Sequence, residues 1–397
     1  MKVTVRSGDT LWGYSRLFQV PIVLIADSNP LLQAQNLEVG QTIDIPGYRT
    51  SSYVIAAGDT IWQIAAGRGI PASTIYAVNP GLQPSSLSIG QVIRIPERVT
   101  ELVVQSPRPY GYAEVIEDLN RLTSLYPFIR RNDIGESVMG KPIPEIRIGS
   151  GDKRLHVNGT FHAQEWITTP IIIRFVNEYA LALTNGEPIR GLEMAPYYVE
   201  TMLSIVPMVN PDGADLVVHG LPDQEPYRSE VLAINGGSED FQGWKANIRG
   251  VDLNDQFPAH WEIEAERREQ QPAPRDYPGP APLSEPESQA MAELTRASDF
   301  SRVIAYHTQG EVIYWGFLEL QPPEAEALAE AFANASGYEP IETVDSYAGY
   351  KDWFIQDWRR PGFTVELGSG VNPLPISQFD AIYEASLGIM LANLYEP

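Results

Sequence analysis

The chain contains no cysteine. That excludes a disulfide framework and thiolate chemistry, and leaves any metal to histidine and carboxylate ligands. Histidine is scarce, with five in 397 residues, so each one can be weighed singly. Positive charge is short: 28 Lys and Arg stand against 51 Asp and Glu, for a formal net charge of −23. Only five of those basic residues are Lys. The shortage is uneven. Residues 1–96 hold six basic and five acidic residues, and the rest of the chain carries a net of −24. A surface of that sign repels nucleic acid and anionic membrane, so neither is an expected partner. No long apolar run is present either. The best, Ile167 to Leu183, is broken by Arg174, Asn177 and Glu178, so no membrane span is expected. A charged segment followed by an apolar one is missing before residue 15, so no signal peptide is visible.

An apolar content of 43% with 10% aromatics is enough for a sizeable core, and the length suits two or three domains. Residues 3–46 and 53–96 repeat at an offset of 50 without a gap. Gly8-Asp9-Thr10 matches Gly58-Asp59-Thr60, and Trp12 matches Trp62. Pro21 matches Pro71, and Asn29-Pro30 matches Asn79-Pro80. Gly40-Gln41 and Ile43 to Pro46 match Gly90-Gln91 and Ile93 to Pro96. Each unit reads as a short strand, two short helices and a closing strand stopped by proline. Asp9 or Thr10, and Asp59 or Thr60, suit helix N-caps; Pro21 and Pro71 suit the first turn of the second helix.

These repeats resemble the LysM module, a βααβ fold that binds N-acetylglucosamine-containing glycans. The resemblance implies modules over 2–47 and 52–97, with glycan-binding candidates Asp9, Thr10, Asn29, Asp59, Thr60 and Asn79. The alternative for all six is that they cap helices and shape turns. A near-zero charge fits a neutral sugar.

Residues 98–109 read as a linker running into an edge strand, and 110–397 as one α/β domain in which strands alternate with helices. Asn210-Pro-Asp-Gly213 reads as a turn, and 270–286 as an exposed proline-rich loop. Ligands in such domains gather at the carboxyl ends of strands. Three candidate groups lie just past apolar strands: His162 with Glu165, then His307, then Glu366. His156, His219 and His260 read as structural or surface groups. Two His and one carboxylate make a three-ligand zinc set with one open position. Glu366 suits a general base. Arg249 is the first candidate for stabilising an oxyanion, with Lys245 second.

His162-x-x-Glu165, Asn210-Pro-Asp-Gly213, Asn-x-Arg249-Gly-Val-Asp-Leu-Asn254, His307 and Phe-Thr-Val-Glu366-Leu together resemble the zinc carboxypeptidase family of the carboxypeptidase A type. The resemblance implies a mixed eight-stranded sheet flanked by helices, one zinc on His162, Glu165 and His307, Glu366 as base, and Tyr347 over the site. That family usually reads Leu-Asn-Arg-Asn-Phe, where its Arg holds the substrate's terminal carboxylate. Here Leu253-Asn254-Asp255-Gln256-Phe257 puts a carboxylate in its place. With two LysM units, that pattern resembles the γ-D-glutamyl-L-diamino acid endopeptidases of sporulating bacteria. It implies a bacterial cell-wall or spore location, with peptidoglycan glycan strands and stem peptides as partners. Asn254 and Asp255 would then bind substrate, Asp255 taking the ammonium of meso-diaminopimelate. Lys351 either takes its distal carboxylate or is a solvated surface residue. Two other readings stay open: a metallocarboxypeptidase with a relocated carboxylate anchor, and a catalytically inactive wall-binding protein.

Overall fold

A computed structural model describes residues 1–32, 37–83, 85, 87–104 and 107–397. The chain divides into two compact units. The first is Met1–Val103 with Asn120–Arg130 and Val176–Pro196; the second is Val104–Leu119, Arg131–Phe175 and Tyr197–Pro397. The cut after Val103 falls within the 98–109 read as a linker, and two later segments group with the first unit.

Each repeat in the first unit has the expected order. Strand β1 (Lys2–Thr4) is followed by helices Leu11–Phe18 and Ile22–Asp27 and by β2 (Thr42–Asp44). The second repeat has β3 (Tyr48–Val54), helices Ile61–Ala66 and Ala72–Val78, and β4 (Val92–Arg98). Both strand pairs are antiparallel. Thr10 and Thr60 are the N-caps, accepting from the amides of Gly13 and Gln63. Pro21 and Pro71 sit at the N-cap itself, not in the first turn. Strand β2 stops before Pro46, but β4 runs through Pro96 to Arg98 because β3 extends alongside it. A two-stranded sheet has free outer edges, where a missing N–H breaks no ladder bond. No strand follows Arg98 among the described residues up to 110, so the expected edge strand is absent there; 105 and 106 lie outside the described residues.

The second unit is organised on an eight-stranded mixed sheet. Its strands are β5 (Arg130–Glu136), β6 (Pro142–Ile148), β7 (Lys153–Gly159), β8 (Thr201–Val206), β9 (Arg302–His307), β10 (Val312–Tyr314), β11 (Glu339–Ile341) and β12 (Gly362–Glu366). The order is β11-β10-β12-β9-β7-β8-β6-β5. Strands β12, β9, β7 and β8 run parallel to one another, while β10 and β6 pair antiparallel on either side of them. Central parallel strands are covered on both faces, and every residue of β9 is buried. Asn210-Pro-Asp-Gly213 is not an isolated turn. Asn210 caps the helix Pro211–His219, with proline in its first turn. Asparagine accepts from the exposed amide at N3, and proline lacks the N–H that would have no partner there, so the same residues start a helix. Among the described residues no helix is long and apolar enough to cross a membrane.

Helix Pro286–Ser298 buries Glu287 completely. Its carboxyl group accepts from the Val138 amide at 3.0 Å and faces Asn247 Nδ2 at 3.4 Å. Burial, with Asp212 and Glu285 adding to it, pushes its pKa up to about 8 from an ordinary 4.5. A folded value above the unfolded one stabilises fully below pH 4.5 and is lost as pH rises through 8. Glu287→Gln cannot ionise, so its advantage over the wild type should grow as pH rises from 4.5 to 8, reaching on the order of 5 kcal/mol. Urea unfolding at several pH values reads this directly; a difference that stays constant with pH contradicts it.

Candidate active site

Strand β7 ends at Gly159, and the chain turns sharply at Thr160. A Cβ on Gly159 would lie 2.8 Å from Ile172 Cδ1 and Thr168 Oγ1, so only glycine lets the following helix, Thr168–Asn185, approach the strand. Thr160 has φ 53°, a left-handed conformation strained for a β-branched residue. It is held by its own bonds: its amide donates to Thr168 Oγ1 (2.9 Å), and its carbonyl accepts from the Asn210 amide (3.0 Å). The bend sends His162 and the short 3-10 turn Ala163–Glu165 over the sheet edge. Asn210 secures that edge, its Nδ2 donating to the carbonyls of Phe161 and Ala246 at 3.1 Å each. The Ala163 amide donates to the Lys245 carbonyl at 2.9 Å.

Strands β7, β9 and β12 are parallel neighbours, so their carboxyl ends lie together. Glu366 pairs in register with His307 across β12 and β9. His162, Glu165 and His307 converge from two of these ends and are all buried. His162 Nδ1 lies 2.9 Å from a Glu165 oxygen; His307 Nδ1 lies 3.0 Å from the other oxygen and 3.1 Å from His162 Nδ1. Among the described residues this is the only group of three or more such side chains able to hold a metal ion.

The donor set fits zinc. Ligands at the corners of a tetrahedron with bonds of about 2.0–2.1 Å stand about 3.3 Å apart, close to the spacings here. Two ring nitrogens 3.1 Å apart repel unless a proton or a cation lies between them. Burial pulls His162 down, yet Glu165 and Asp252 outweigh it and raise its pKa to about 9, so the pocket favours positive charge. Asp252 Oδ1 contacts His162 Nε2 at 3.1 Å, the carboxylate–imidazole arrangement that orients a histidine toward a metal. Asp252 is completely buried; Lys245 and His162 overcome that burial and hold its carboxyl well below the usual range.

Glu366 is partly buried and faces the same cluster. Withdrawal from water, then the charge of Glu165, pushes its carboxyl up to about 8. The cation beside the cluster is Lys245. Its Nζ lies 2.6 Å from Asp252 and 3.2 Å from Asp276, and its charge acts on His162, His307 and Glu366. Arg249, the first candidate from sequence, is half-exposed and pairs with Glu285 at 3.5 Å. It is not among the charges acting on the cluster. The two side chains go to different places: Lys245 to Asp252 and Asp276, Arg249 to Glu285.

The expected substrate residues divide. The Tyr350 amide donates to Asn254 Oδ1 at 3.4 Å. Tyr347 is partly buried, with its amide on Glu264 and its ring under Arg267; its hydroxyl has no partner among the described residues. Lys351 requires correction. It is neither solvated nor free for a substrate carboxylate: it is buried in helix Tyr350–Trp358, donates to the Gly316 carbonyl at 2.8 Å and pairs with Asp352. Asp255 requires another. It is 2% exposed and already faces a cation, Arg268, at 3.5 Å. Burial and Asp252 push its carboxyl up to about 7.

The six residues named for glycan binding all have internal partners. Asp9 accepts from the Arg6 amide and Tyr14, and Asp59 from the Ala56 amide and Tyr53. Thr10 and Thr60 cap helices. Asn29 and Asn79 each bond three backbone groups, bridging a helix end to the closing strand. The equivalent Trp12 and Trp62 are instead 66% and 70% exposed. The repeat aligns them, but they are not among the six candidates named from the sequence.

Comparison with known proteins agrees with this geometry. The zinc carboxypeptidase family model matches residues 115–387, and the LysM domain model matches 3–46 and 53–96. Gamma-D-glutamyl-L-diamino acid endopeptidase 1 of Lysinibacillus sphaericus is 62% identical over 395 residues, covering 100% of both chains. Carboxypeptidase B of Rattus norvegicus is 26% identical over 261 residues, 60% of this chain and 58% of the rat protein. The fold is also that of bovine thrombin-activatable fibrinolysis inhibitor, solved in complex with tick carboxypeptidase inhibitor. Its TM-score is 0.57 at 21% identity, over 72% of this chain and 96% of that one. With two LysM domains ahead of a matched sheet whose strand ends gather His162, Glu165, His307 and Glu366, the chain belongs to the zinc carboxypeptidase family.

Proposed function

We propose that the protein is a peptidoglycan hydrolase that cleaves the γ-D-glutamyl–meso-diaminopimelate bond of cell-wall stem peptides. The observation that carries this reading is the match, at 62% identity over 395 residues, to a γ-D-glutamyl-L-diamino acid endopeptidase. His162, Glu165 and His307 would hold one zinc ion. When bound, zinc supplies Lewis acidity toward the scissile carbonyl and eases the ionisation of water.

The chain's own residues do the rest. Glu366 takes a proton from the attacking water and returns it to the leaving amine; a carboxyl pushed up to about 8 is basic enough for the first task and acidic enough for the second. Lys245, partly buried and kept protonated against that burial by Asp252, Asp255 and Asp276, offsets the negative charge that develops on the carbonyl oxygen. Asp252 holds His162 in one orientation. The LysM domains bring the enzyme to its insoluble substrate, a role at the bacterial cell wall, including that of the spore. Trp12 and Trp62 offer flat apolar faces of the kind that stack on sugar rings, while Asp9, Thr10, Asn29, Asp59, Thr60 and Asn79 hold the loops around them.

Digestion of purified L-Ala-γ-D-Glu-meso-diaminopimelate tests the assignment. Mass spectrometry should show L-Ala-D-Glu and free diaminopimelate as the only products. Release of C-terminal Phe from ordinary peptides, with the tripeptide left intact, favours the metallocarboxypeptidase reading instead.

A further inference from the structure

Asp255 and Lys351 were the expected partners of the charged ends of the substrate, and both are already paired within the protein. One cation beside them is not fully used. Arg268 follows the helix Trp261–Arg267. Its Nε lies 2.6 Å from a Glu264 oxygen and 3.5 Å from Asp255 Oδ2. Glu264 is completely buried and is itself fixed by Arg267 at 2.6 Å and by the Tyr347 amide at 3.1 Å. The inner edge of the guanidinium is therefore anchored against two carboxylates on a rigid support. The two terminal nitrogens have no partner among the described residues, and the side chain is 32% exposed.

Arg268 also lies on the reactive side of its surroundings. Asp252 and Asp276, the carboxylates that hold Lys245, act on Arg268 as well. Asp252 contacts the metal-cluster histidine His162, and Asp255 stands one turn further along the 3-10 helix Leu253–Gln256. One such turn advances about 6 Å, a distance of the order of one or two residues of bound peptide. A guanidinium with a free, planar pair of N–H2 groups matches a carboxylate with two parallel bonds.

We propose that Arg268 is the carboxylate-binding residue of this site, taking one of the carboxylates that flank the scissile bond of the stem peptide. This rests on the substrate proposed above. That substrate carries three: the α-carboxylate of D-glutamate and the two carboxylates of meso-diaminopimelate. Asp255 then serves as the counter-ion that keeps the guanidinium in place, and Glu264 as its mount.

The test compares the tripeptide with its three monocarboxamides, in the wild type, Arg268→Ala and Arg268→Lys. The wild type should disfavour one carboxamide by on the order of 10- to 100-fold in kcat/KM. Arg268→Ala should lose the same factor on the free acid, mainly through KM, and cleave that carboxamide as the wild type does. Arg268→Lys, which keeps charge but loses the fork, should recover part of the preference. The carboxamide affected identifies which carboxylate is bound. A wild-type ranking of the four substrates that persists in Arg268→Ala overturns the proposal. Calorimetric titration of meso-diaminopimelate and of L-Ala-D-Glu into the full chain gives a second reading. Binding of one of the two should weaken at least tenfold in Arg268→Ala, and equal binding of both by both proteins rejects the role. A wild type that cleaves none of the four peptides removes the substrate assignment, and the titration alone then decides Arg268.

Discussion

Replacing Glu366 with Gln should lower turnover of the stem peptide by about 10²- to 10⁴-fold while leaving the zinc content unchanged. Glu366 stands at the end of β12, in register with His307, and its backbone belongs to the sheet. Its side chain makes none of the contacts that close the His162, Glu165 and His307 cluster. Glutamine has nearly the same shape, so fold and metal site should survive. What is lost is a group able to accept a proton and give it back. Single-turnover rates on the tripeptide, beside zinc counted per chain, separate the two properties. Near-wild-type turnover in Glu366→Gln removes it as the base, and loss of zinc in that variant makes it part of the metal site instead.

His162→Ala, Glu165→Ala and His307→Ala should each reduce zinc from about one per chain to a small fraction, with loss of activity to match. The three donors lie about 3 Å from one another and are all buried, so no neighbouring side chain can take a vacated position. Removing one also leaves the other two packed together without the cation that reconciles them. Asp252→Asn should act more mildly, weakening zinc binding about 10- to 100-fold, because it touches the metal only through His162. Zinc measured after dialysis against a graded series of chelator concentrations gives all four values. Full occupancy in any of the three alanine variants rules that residue out as a ligand.

Much of this site could be read along the chain. A repeat at a fixed offset needs no tertiary information, and its turn and cap residues predict the βααβ order because caps are local. His162 with Glu165, His307 and Glu366 were legible for a related reason. Each directly follows an apolar strand, and strand ends in such sheets converge. The choice between Lys245 and Arg249 was not legible. The two are four residues apart, and only the folded loop decides which one stays beside Asp252. Neither could the sequence reveal that Lys351 would be buried against Gly316, or that Arg268 would stand opposite Asp255.

The sequence alone therefore determined the two modules, the sheet-based domain, and the residues that its strand ends carry to one edge. These depend on periodicity, capping and burial, which act between near neighbours or through the hydrophobic pattern of each segment. The tertiary structure decided which charge faces which. Ion pairs form between segments whose separation in sequence carries no information about their separation in space. A buried charge takes whichever partner the packing delivers, and here that packing matched Lys245 to Asp276, Lys351 to the Gly316 carbonyl and Arg268 to Asp255.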